Sequence, residues 1–127
     1  MPVLTSCYGR WRKFPQGCIR AAVSLKVPSQ NAFDIRIAPF APTFELVEGS
    51  KSGAIDNAEY ARRYLLLLQS RKNAFKAADR LKKMDTEGKT VVLLCWEARG
   101  FCHRRILAQW LNAGWEMDAS ELDIDCK

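Results

Sequence analysis

Cys95, Glu97, Cys102, His103 and Arg104 fall within a single ten-residue stretch, and His103 is the only histidine in the chain. Thiols are nucleophiles once ionised, while a carboxylate and an imidazole exchange protons near neutral pH. A guanidinium binds anions through several N–H groups at once. Cysteine, histidine and glutamate are also zinc ligands. A purely structural reading of the same residues exists: a histidine bonded to a neighbouring loop, and Glu97 paired with Arg104.

The flanking sequence says what positions them. Thr90-Val91-Val92-Leu93-Leu94-Cys95 is β-branched and apolar on both faces, the pattern of a central strand covered on both sides. After a short loop, Cys102 to Asn112 has helical spacing, and Gly114 is placed to cap its end. The cluster therefore sits where a strand ends and a helix begins, which in open α/β sheets is where ligands bind.

Ile106, Leu107 and Trp110 lie three, four and seven residues after His103, so His103 shares their inward stripe. Arg105 falls off that stripe and Arg104 is intermediate. The positive end of the helix dipole keeps such a histidine neutral and favours thiolate at a nearby cysteine. Glu97, across the loop, is placed to orient His103 or act as a base. Cys102 and His103, as helical neighbours, would project about 100° apart. That argues against a shared metal ion unless the helix starts later, and no metal ligand is assigned.

The other elements are read from periodicity and turn residues. Val3–Ser6 is a short strand meeting a turn at Tyr8-Gly9, and Ile19–Leu25 is a second strand. Pro28 to Pro42, with three prolines, is expected to be loop with short turns. Asp56 or Asn57 caps a helix from about Ala58 to Ser70, with Tyr60, Tyr64, Leu67 and Leu68 on one face. A helix from about Asn73 to Met84 turns Phe75, Ala78 and Leu81 inward, with Ala77 at the margin. A last edge strand is sought at Trp115–Asp118 or Leu122–Ile124. Strands alternating with helices imply a single compact α/β domain spanning 1–127, a mostly parallel central sheet flanked by helices.

Composition narrows the partners. The 127 residues carry 20 basic and 14 acidic side chains, a formal charge of +6, with a pI near 9.2. Such a chain is attracted to polyanions, so an anionic small ligand or nucleic acid is the expected partner, and the basic helix at Asn73–Lys83 offers nonspecific DNA contact. The longest apolar run, Tyr64–Leu68, falls far short of the roughly 20 residues that span a bilayer. It reads as a buried helix segment. No secretory signal opens the sequence, which places the protein in the cytoplasm with no membrane partner and its five cysteines as thiols. Cys18 and Cys126 are expected to be small buried hydrophobes.

Two related loops do not fit. A rhodanese or cysteine-phosphatase loop closes with an arginine inside the tight turn after the cysteine. Here Arg99 and Arg104 stand four and nine residues beyond Cys95, with a single glycine between. No Gly-rich Lys-Ser/Thr phosphate loop is present.

Val92–Glu97, then Phe101-Cys102-His103-Arg104, then Leu107–Leu111 resemble the signature of the family known as domain of unknown function 488, whose small members occur in bacteria and phages. Thr5, Ser6, Tyr8 and Gly9 resemble the opening segment of those members, Val23–Pro28 their next strand, and Ala41-Pro42 their Ala-Pro pair. The resemblance implies a site at the Cys95–Arg104 cluster and brings no activity or cofactor with it. It also implies that Ser6 and Tyr8 face the same pocket.

Three functions follow as expectations. The first is an enzyme acting on a nucleotide or nucleic-acid component, with Cys95, Glu97, Cys102 and His103 catalytic and Ser6, Tyr8, Trp96 and Arg104 holding the ligand. The second is a binding module with the same pocket, Trp96 or Tyr8 stacking on a ring and Arg104 on phosphate. The third is a zinc-binding protein. No cofactor and no oligomeric state is evident.

Overall fold

The computed structural model of the chain describes residues 3–96 and 102–122. Glu97, Arg99, Phe101 and Cys126 lie outside the described residues. Five strands form one all-parallel sheet: β1 Val3–Cys7, β2 Ile19–Ala22, β3 Ile35–Arg36, β4 Val91–Cys95 and β5 Ser120–Glu121, in the order β3-β2-β4-β1-β5. β4 is buried at every position, as its unbroken apolar run demands. Its register sets Cys95 beside Cys7 of β1, and Ala22 of β2 beside Leu94.

Four α-helices follow in chain order: α1 Phe44–Ser52, α2 Asn57–Ser70, α3 Lys72–Thr86 and α4 His103–Trp115. One face of the sheet, through Val3, Ala21, Val23, Val91 and Leu93, packs on Leu46 of α1, Tyr64 and Leu68 of α2, Ala78 and Leu81 of α3 and Leu107 and Leu111 of α4. The opposite face carries a smaller core of Tyr8, Ala22, Val92 and Leu94, closed by Leu4, Phe14, Cys18, Val27 and Phe33. Short 3-10 turns and loops supply that cover in place of α-helix.

Several expectations need correction. β2 stops at Ala22 instead of Leu25, because Ser24 turns the chain and bonds the Lys26 carbonyl at 2.6 Å. The proline-rich stretch contains a two-residue strand, β3, held by β2 through Ala21 and Ile35. α1 lies where the sequence reading assigns no element. Thr43 caps its start by accepting from the Leu46 amide at 3.2 Å, and Gly53, at φ +82°, ends it in the left-handed conformation.

Asp56 does cap α2, accepting from the Glu59 amide at 2.8 Å. The run Tyr64–Leu68 is amphipathic: Tyr64 and Leu68 are buried, while Leu66 is exposed. In α3 the inward residues are Ala74, Ala78 and Leu81. Phe75 instead lies at the margin, edge-on to Trp110 and Trp115. Gly114 is inside α4, which ends at Glu116 with φ +53°. The Asn112 side chain then grips Ala119 by both backbone groups, at 2.7 and 3.0 Å, and delivers the chain to β5 between the two expected positions.

Candidate active site

The carboxyl ends of β2 and β4 and the start of α4 meet at one edge of the sheet. A cavity of about 390 Å³ opens there. Its lining includes Cys95, Cys102 and His103, then Ser24, Lys26 and Trp96, and Phe44, Val47, Glu48 and Lys51 of α1 with Tyr60 of α2.

His103 is the first residue of α4 and is buried. Its Nε2 lies 2.8 Å from the Val23 carbonyl, which can only accept, so Nε2 carries the proton. In the neutral ring Nδ1 is then a bare lone pair, and it faces the Cys102 sulfur at 3.8 Å. Burial pushes the imidazole down to about 4; the Val23 bond opposes this and the Arg104 cation adds to it. The ring is neutral at physiological pH, as expected of a histidine at a helix start. Tyr64 packs edge-on against it at 5.4 Å and anchors its own hydroxyl on the Phe40 carbonyl.

Cys102 is the residue before α4, and its backbone is extended, φ −152° and ψ 143°. The helix thus starts later than the sequence reading placed it. The angular argument against Cys102 and His103 sharing an ion does not apply. The sulfurs of Cys95 and Cys102 face each other in contact, their Cα atoms 7.7 Å apart. The two sulfurs and a ring nitrogen of His103 lie within 4.8 Å of one another, a group able to hold a metal ion. Cys7 and Cys18 are free thiols. Cys18 is only half-buried; burial, helped by Asp34, pushes its thiol up.

Arg104 is fully buried and is not among the residues lining the cavity. Its Nη1 donates to the Cys95 sulfur at 2.8 Å. Nε and Nη2 bond both oxygens of Glu121, at 3.2 and 2.7 Å. Thr5 donates to the same carboxylate at 2.6 Å, with Arg10 and Arg105 at 3.5 and 3.7 Å. Burial raises the Glu121 carboxyl, but the Arg104 and Thr5 bonds and the cations outweigh it, and the net shift is downward. The geometry makes Arg104 a support for Cys95, whereas the sequence reading had it meet a ligand. Its carboxylate partner here, Glu121, was missed, because nothing in the local pattern of a two-residue edge strand marks it.

Trp96 is half-exposed on the cavity wall, its indole N–H fixed to the Lys26 carbonyl at 2.7 Å. Tyr8 does not line the cavity but stands behind it, 4.9 Å from the Trp96 ring and 2.6 Å from Ser24 Oγ. Ser24 spends its proton on Lys26, so Tyr8 donates to Ser24. Ser6 pairs with Leu94, is fully buried and makes no hydrogen bond through its hydroxyl among the described residues. By strand alternation it points toward the smaller core, away from Cys95. The structure therefore brings Cys95, Trp96, Cys102 and His103 to one cavity, with Arg104 and Tyr8 behind them and Ser6 on the other face.

The family model described as the active DUF488-N3 subclade matches residues 6–114. No match was found among curated proteins, and none among solved structures. The chain belongs to the DUF488 family, and the matched span includes the whole cluster from Cys95 to Arg104.

Proposed function

We propose that this DUF488 member is an enzyme acting on a nucleotide or a nucleic-acid component, with the Cys95–Cys102–His103 cluster as its reacting centre. The observation that carries the reading is the convergence of two sulfurs and a neutral imidazole at one end of a cavity walled by Trp96, Phe44, Tyr60, Lys26 and Lys51. An aromatic wall takes a base by stacking, and lysines take phosphate. Glu48 partly offsets the lysines at the rim. The overall charge of +6 favours the approach of such anions.

At the cavity's end, the Arg104 guanidinium donates to the Cys95 sulfur, and Glu121 holds that guanidinium in place. His103 presents the lone pair of its Nδ1 beside the Cys102 sulfur. Glu97 rests on the sequence alone as a further acid–base group.

The test is to incubate the reduced protein with nucleoside mono- and diphosphates and short oligonucleotides, and to follow each by liquid chromatography with mass spectrometry. Conversion by the wild type, lost in Cys95→Ala and in His103→Ala, is the expected result. Tight retention without conversion would make the cavity a binding site only. A panel neither converted nor retained would remove the nucleotide reading.

A further inference from the structure

We propose that Cys95 Sγ, Cys102 Sγ and His103 Nδ1 together bind a zinc ion beside the cavity. The case begins with the donors. Two sulfurs and an imidazole nitrogen, all buried and within 4.8 Å of one another, are a soft set suited to zinc.

Orientation comes next. A metal-bound histidine gives its other ring N–H to a carbonyl or carboxylate, which fixes the tautomer. His103 does this: Nε2–H is held by the Val23 carbonyl at 2.8 Å, and the Nδ1 lone pair is turned toward Cys102. The Cys95 sulfur has its own outer partner, the Arg104 guanidinium at 2.8 Å.

Backbone spacing supports the same conclusion. The Cys95 and Cys102 Cα atoms are 7.7 Å apart. A relaxed disulfide prefers a span of about 4.4–6.8 Å. Two thiolates each about 2.3 Å from a common ion stand farther apart than a bonded pair and accommodate the wider span.

Among the described residues the group contains these three ligands and no fourth. All three ligands line the cavity, so an ion they hold borders whatever the cavity holds. The inference concerns ion binding alone and stands whether or not the cavity takes a nucleotide.

The experiment is a titration of the reduced full chain with cobalt(II) under anaerobic conditions, followed by zinc. The expected result is a single high-affinity equivalent with the intense visible bands of tetrahedral cobalt–thiolate, which zinc then bleaches. Cys102→Ser and His103→Ala should lose those bands. Cys18→Ser, on the other side of the sheet, should keep them, with circular dichroism showing each variant folded. Absence of the bands in the reduced wild type, or their survival in folded Cys102→Ser and His103→Ala, would overturn the proposal. Should a ligand variant fail to fold, the unmodified chain supplies the answer. Stoichiometric zinc should slow alkylation of Cys95 and Cys102 several-fold while leaving Cys18 unchanged, and equal rates with and without zinc would overturn it.

Discussion

At the scale of single residues, the site depends on two buried polar groups that serve others. Arg104 connects the Cys95 sulfur to the Glu121 carboxylate, and removing it takes charge from both. Arg104→Gln removes the donor to the Cys95 sulfur and should change its alkylation profile in the reduced protein. It should also cost about 3 kcal/mol of stability, the usual penalty for breaking a buried pair. An unchanged alkylation profile would mean that the guanidinium does not act on Cys95. His103 supplies a pH dependence. It titrates near 4 when folded, against an ordinary 6.5. Between those values the unfolded chain binds a proton that the native ring refuses, so stability falls as pH falls through that window. The loss should reach ~3 kcal/mol. The Glu121 carboxyl, held below its usual value, adds its contribution at higher pH and loses it on further acidification. Urea unfolding at a series of pH values should show a flatter decline in His103→Gln, and parallel curves would contradict the assignment.

The elements explain what the sequence made readable. The strand–loop–helix around Cys95 is visible because β4 is an unbroken apolar run and α4 carries an inward stripe that includes His103. α1 escaped although both its caps are present, because Glu48–Gly53 is composed of turn-forming residues and only Leu46 is buried. β3 and β5 escaped for a related reason: each is two residues long and is defined by its neighbour, not by its own pattern. Glu121 was invisible because its partners, Thr5 and Arg104, are distant in sequence. α1 nonetheless builds much of one cavity wall. Thr43→Ala should cost about 1 kcal/mol through loss of the cap, and Gly53→Ala a similar amount because of its positive φ. Both should leave His103 chemistry intact while weakening whatever the cavity binds. Asn112→Ala frees the segment leading to β5, so thermal unfolding should show a loss of about 1–3 kcal/mol. Urea denaturation of the three variants checks these values.

At the scale of the whole molecule, the parallel sheet gathers the ends of β2 and β4 at one edge, and the larger core holds all four helices against one face. The cluster and the cavity are consequences of that arrangement: His103 is fixed by Val23 from β2, Cys95 by Arg104 from α4, and further lining comes from α1 and α2. No helix among the described residues is long and apolar enough to cross a membrane. On the proposed function, this cavity takes a ring and a phosphate beside the sulfurs. Isothermal titration calorimetry of the reduced chain with a panel of nucleoside monophosphates tests it most directly. Saturable binding is expected, weakening about tenfold in Trp96→Ala, a stacking loss of about 1–3 kcal/mol, and weakening also in Lys51→Ala. Binding that is absent across the panel, or indifferent to both substitutions, would contradict it.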